Sequence, residues 1–191
     1  MAGAVILARH GEPALSRRVR LTAAGYRDWW GRYEAGGLKP GQTPPASLRS
    51  MAAAAGVLFS SSRERAIQSA RAVAGDRTFE SDDLYIEAPL PSPPLPDWLR
   101  LSPRWWGVVS RLCWRAFDYH DGQESHGEAK VRAAQAAARL MESAAAGEDV
   151  VLIAHGYFNY MIGRALAARG WRRTLDQGYR YWSARRFEPP R

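Results

Sequence analysis

The amino-acid sequence predicts an α/β sandwich built on a mainly parallel sheet. Two observations carry the prediction. Short apolar runs alternate with longer helix-forming stretches, the order that parallel strands with crossover helices produce. Four polar sets also fall just after the expected strands: Arg9-His10, Ser60 to Arg65, Glu87 and His155. In such sheets ligands sit beyond the carboxyl ends of the strands. Residues scattered through the sequence are therefore expected to meet on one edge.

The elements follow in order. Ala4 to Ala8 is a short apolar run ending at Arg9 and reads as a buried strand. A helix is expected from the Leu21-Thr22-Ala23-Ala24-Gly25 segment, with Thr22 as its N-cap. Residues 36–47 form a loop rich in Gly and Pro, and a short helix is expected over 47–55. Val57-Leu58-Phe59 is a second buried strand, and Ser60 to Ser62 cap a helix over 63–74. A third strand is expected at 83–87. The prolines from Pro89 to Pro103 then exclude a regular helix or central strand until a helix at 104–117. Residues 127–146 have strong helix propensity and stop at Gly147. Asp149 to Ala154 is the clearest buried strand, followed by a helix over 158–169 and a last strand at 179–187. No repeat or linker divides the chain, so residues 1–191 are expected to form one domain.

The chain has 191 residues, a formal charge of +8 and an apolar content of 46%. That content suffices for a buried core. The charge attracts anions of any kind without choosing among them. The single cysteine, Cys113, excludes an intrachain disulfide. No run approaches the roughly 18 apolar residues of a membrane helix, and the N-terminal run lacks a basic leader region. The expected location is the cytoplasm, with no membrane partner and no nucleic-acid partner. His120, Asp121, Glu124 and His126 match no common zinc spacing. The pairs Trp29-Trp30 and Trp105-Trp106 read as core or cleft residues. The tract Arg180 to Arg186 reads as an edge strand with a solvated face.

Phosphate monoesters are nearly dianionic at neutral pH. Hydrolysing one takes cationic clamps, an in-line nucleophile and an acid for the leaving oxygen. Arginine's planar fork suits the clamps. A neutral histidine suits the nucleophile, and neighbouring arginines favour its neutral form. Residues 5–12, Val-Ile-Leu-Ala-Arg-His-Gly-Glu, resemble the opening strand and Arg-His-Gly signature of the histidine phosphatase superfamily, also called phosphoglycerate mutase-like. Leu21 to Gly25, Ser60 to Ala70 and Val151 to Gly156 resemble three further blocks of that family, in family order.

The resemblance implies a three-layer α/β/α sandwich, with residues 88–126 as an insertion forming the pocket. It implies His10 as the phosphate-accepting nucleophile and Arg9, Arg65 and His155 as phosphate-binding residues. Glu87 is the best match for the acid/base residue. Gly11 and Glu124 are candidate substrate contacts. For Glu124 the competing reading is structural, beside a helix capped by Ser125 and Glu128. Arg63 falls off the motif and reads as solvent-facing. No cofactor and no metal are implied. The expected partner is a small phosphorylated substrate, with phosphoprotein left open, as is the oligomeric state. Pro89 to Pro96 replace the stretch that follows the acid in phosphoglycerate mutases, which favours hydrolysis over transfer. Mutase-type transfer and a non-catalytic phosphate-binding module remain the alternatives.

Overall fold

The computed structural model describes residues 2–190. Six strands form one sheet in the order β3-β2-β4-β1-β6-β5. They are β1 (Val5–Arg9), β2 (Val57–Ser61), β3 (Glu80–Asp82), β4 (Val150–Ala154), β5 (Arg172–Asp176) and β6 (Ala184–Glu188). The first four strands in that spatial order run parallel to their neighbours, and β6 and β5 add an antiparallel edge. The six helices are α1 (Ala23–Ala35), α2 (Ala46–Ala54), α3 (Glu64–Ala74), α4 (Pro103–Ala116), α5 (His126–Ala144) and α6 (Gly156–Ala167).

Alternation along β1 separates the layers. Val5 and Leu7 pack with α5 and α6, whereas Ile6 and Ala8 face the other way, toward α2 and α3. The central strands are buried on both faces, and each large aliphatic side chain buried contributes about 1.5–3 kcal/mol. The result is the expected three-layer α/β/α sandwich. A separate aromatic cluster joins α1 to α4: Tyr26 stacks on Trp106 at 5.6 Å between ring centroids. Trp106 Nε1 donates to the Leu21 carbonyl at 2.8 Å, tying α4 to the start of α1. Thr22 caps α1 through Gly25 N, and Ser125 with Glu128 forms a complete capping box on α5.

β5 has no counterpart in the sequence expectation, and two other stretches differ from it. The third strand covers 80–82, not 83–87. Asp82 accepts a hydrogen bond from Leu84 N at 2.8 Å and so caps a 3-10 turn over Asp83–Tyr85. A turn, not a strand, therefore delivers Glu87. At the other end, the expected strand over 179–187 narrows to β6. Gly178 and Trp182 hold positive φ angles of 78° and 64°, which break an extended chain before Ser183. Nor is β6 an edge strand, because β5 covers it. Arg185 is accordingly buried, bonded to Asp176 and to the Gly178 carbonyl.

Candidate active site

The carboxyl ends of β1, β2 and β4 bring His10, Arg65 and His155 together. His10 follows β1, and its backbone N–H donates to the Ala154 carbonyl at 2.9 Å, which locks it beside the end of β4. Gly11 N donates to Ser69 Oγ, and Ser69 Oγ donates to the Arg65 carbonyl, so the loop after β1 is laced to α3. Gly11 lies against Trp182: a Cβ there would sit 2.3 Å from the indole ring.

His10 is buried. Its Nδ1 lies 2.6 Å from the Gly11 carbonyl, an oxygen that can only accept. Nδ1 therefore carries the proton, and Nε2 keeps its lone pair. Burial, then the Arg65 and Arg9 charges, hold its pKa well below the ordinary histidine value. His155 takes the opposite tautomer. Arg65 Nη2 donates to its Nδ1 at 3.3 Å, so Nε2 carries the hydrogen toward Ser61 Oγ at 2.8 Å. Burial, followed by the charge of Arg65, keeps His155 neutral as well. The two rings stand edge to face, 5.2 Å apart.

Arg65 is fully buried, yet its Nε has no hydrogen-bond partner, and the same is true of Arg9 Nε. Two buried cationic N–H groups thus lie without acceptors near a neutral histidine, and each lost bond to a charged donor is costly. Glu87 lines the same cavity as His10, Arg9 and Arg65. Its Oε1 accepts from Phe158 N at 2.8 Å and from Ala88 N at 3.1 Å, which fixes the carboxyl at the first turn of α6.

The fold has solved counterparts. A phosphoserine phosphatase from Entamoeba histolytica, bound to 3-phosphoglyceric acid, is 16% identical. The match covers 87% of this chain and 80% of that one, with a TM-score of 0.59. A putative α-ribazole-5′-phosphate phosphatase from Escherichia coli is 15% identical over the same shares of the two chains, at a TM-score of 0.55. A mycobacterial glucosyl-3-phosphoglycerate phosphatase is 21% identical, again over 87% and 80%, at 0.53. The chain has the histidine phosphatase fold. No protein-family model matches the sequence, and the comparison with curated proteins gives no match.

Within the histidine phosphatase fold, two sequence-nominated residues take different places. Gly11 sits at the cluster as backbone. Glu124 is drawn away from the cavity by Arg132, which binds both its oxygens at 2.7 and 2.8 Å. Arg132 Nη1 also donates to the Leu84 and Ile86 carbonyls, so the pair braces the turn that carries Glu87. Arg63 caps the start of α3, partly exposed, with Nε 3.1 Å from Glu34 Oε2.

Sequence reasoning missed Glu34. At the end of α1 it accepts from Arg65 Nη2 at 2.6 Å, and the Tyr33 and Glu34 carbonyls take Arg65 Nη1. Four of the five guanidinium N–H groups are thereby engaged, counting the bond to His155, and Nε remains for a ligand. No motif marks Glu34, because a helix terminus far along the chain becomes a partner only after folding. Arg17 was also missed: it lines the cavity and donates to Tyr33 Oη at 2.7 Å. Its position in the basic run Arg17-Arg18 after the first signature was the available signal.

Proposed function

We propose that the chain is a phosphomonoester hydrolase that works through a phosphohistidine on His10, without a metal. One observation carries the reading. A buried neutral histidine, its Nε2 lone pair unprotonated, lines a cavity with the unpartnered Nε–H groups of Arg9 and Arg65. A phosphoryl group supplies the acceptors those donors lack, and phosphorus is the electrophile that the lone pair needs. The fold's neighbours support the reading, since each of the three is a phosphatase by name.

In the first step Nε2 attacks phosphorus in line, and the bond from phosphorus to the ester oxygen breaks. Glu87 gives that oxygen a proton as the alcohol leaves. Nδ1–H, held by the Gly11 carbonyl, stabilises the phosphorylated ring. Arg9 and Arg65 offset the oxygens' negative charge. In the second step Glu87, now a carboxylate, takes a proton from water, which attacks phosphorus and breaks the N–P bond. Ester and water become alcohol and phosphate, and His10 is regenerated.

The test is a phosphatase screen in the presence of a metal chelator, with wild type, His10→Ala and Glu87→Gln. The reading expects turnover by wild type, none above background by His10→Ala, and a strong loss for Glu87→Gln. Equal activity of wild type and His10→Ala would reject it. Isomerisation of phosphoglycerate without phosphate release would assign the site to phosphoryl transfer instead.

A further inference from the structure

The cavity that holds His10 is larger than a phosphate requires. It measures about 920 Å³, near the top of the range for small-molecule sites. Besides Glu87, the one carboxylate lining it among the described residues, the wall carries apolar Trp30, Leu90, Val108, Leu112 and Tyr160 together with Arg104, Arg111 and Arg115. The leaving group such a wall accommodates is bulky and largely apolar.

The outer wall is α4, and that helix has two apolar faces. Trp106, Ser110 and Trp114, at i, i+4 and i+8, are buried. On the opposite stripe Trp105, Val108 and Leu112 are 60%, 52% and 60% exposed. Val108 and Leu112 line the cavity and are more than half exposed, so this apolar wall is open to solvent. Trp98 and Phe117, 80% and 76% exposed, flank the helix. Five of the eight large apolar side chains exposed among the described residues thus lie within 98–117, on α4 and at its two ends.

The charge of that surface is net positive, with exposed Arg100, Arg104 and Arg115 against Asp97 and Asp118 at its two ends. Residues 98–117 contain four arginines and no acidic residue. Arg104 and Arg115 are exposed on the cavity's rim and pair with no carboxylate among the described residues. Outward Trp, Val and Leu bordered by arginines match an anionic lipid surface. The apolar side chains enter the acyl boundary while guanidinium groups meet the phosphates. At 14 residues α4 is about 21 Å long, suited to lying on such a layer, and no helix among the described residues is long and apolar enough to cross one.

We propose that α4 rests on an anionic lipid surface and that the cavity takes an amphiphilic phosphomonoester from it. The phosphate meets His10, and the apolar tail runs out along Val108 and Leu112. The proposal rests on the phosphatase reading above and departs from the sequence expectation of no membrane contact. The reaction balances as before: water adds, phosphate is released, and the lipid alcohol stays in the layer.

The experiment uses the full chain with vesicles of phosphatidylcholine alone or mixed with phosphatidylserine. It compares wild type with the Trp98→Glu/Trp105→Glu double variant, both positions being exposed and neither on the cavity wall. Wild type is expected to bind mixed vesicles at least about tenfold more tightly than neutral ones, the effect of one or two arginines at a charged surface. The double variant is expected to lose that binding. It should also slow hydrolysis of vesicle-borne lysophosphatidate far more than hydrolysis of soluble phenyl phosphate. Glycerol 3-phosphate, the same head without a tail, should be the poorer substrate. Absence of vesicle binding, binding unchanged in the double variant, or equal use of the tailless ester would each overturn the proposal. A mass doubling abolished by the double variant, without vesicle binding, would assign the face to a second copy and overturn it too. Failure to hydrolyse even phenyl phosphate would overturn the phosphatase reading and the substrate half together, while vesicle binding would still decide the surface.

Discussion

Lowering the pH places a calculable load on this fold through His10 and His155. Both are buried and held neutral, with pKa values well below the ordinary one. In the unfolded chain each titrates near 6.5. Below that value the unfolded state binds protons that the folded state refuses, so stability falls with pH until the folded groups themselves protonate. While a histidine stays neutral in the fold, integration from pH 7 to pH 5 gives a loss of about 2 kcal/mol, and the pair gives about 4 kcal/mol. Urea unfolding across that range, for wild type and for His10→Asn and His155→Asn, isolates each share. Each variant should lose about 2 kcal/mol less than wild type between the two pH values. Curves for variant and wild type that fall in parallel would refute the claim that these rings are neutral in the fold.

Three further outcomes follow from single contacts. Gly11→Ala pushes a Cβ within 2.3 Å of the Trp182 ring and 2.9 Å of Gln42 Oε1. It should cost about 1–3 kcal/mol in thermal unfolding, and adding Trp182→Leu should recover part of that loss. Glu34→Ala removes the carboxylate facing the fully buried Arg65. A loss of about 2–4 kcal/mol is expected in denaturant titration, below the full cost of a dry pair because Glu34 is partly exposed. Arg132→Met frees the turn before Glu87 and should lower kcat by roughly ten- to a hundredfold with little change in KM. Steady-state kinetics would show this, and Glu124→Ala should reproduce it.

Much of the fold was legible because its signals are local. The runs Ala4 to Ala8 and Val150 to Ala154 are continuous apolar strands, and the Ser125–Glu128 capping box declares the start of α5. What was not legible depends on partners distant in sequence. β5 carries mostly exposed residues, so no apolar run announced it, and it exists because β6 offers it an edge. β3 was displaced because Asp82 turns its side chain back onto Leu84 N, a choice that competes with strand pairing only once Tyr85 is buried. In the site, His10, Arg65 and His155 were readable because each follows a strand within a short motif. The hold of Glu34 on Arg65 was not, and neither was the pairing that removes Glu124 from the cavity.

The most direct test of the central claim is to trap the phosphoenzyme. Wild type is mixed briefly with a phosphate ester carrying labelled phosphorus and then quenched in alkali. The account predicts label bound to protein, stable in alkali and lost in acid, located on His10 by peptide mapping and absent from His10→Ala. Turnover with no labelled protein, or label on another residue, would contradict it.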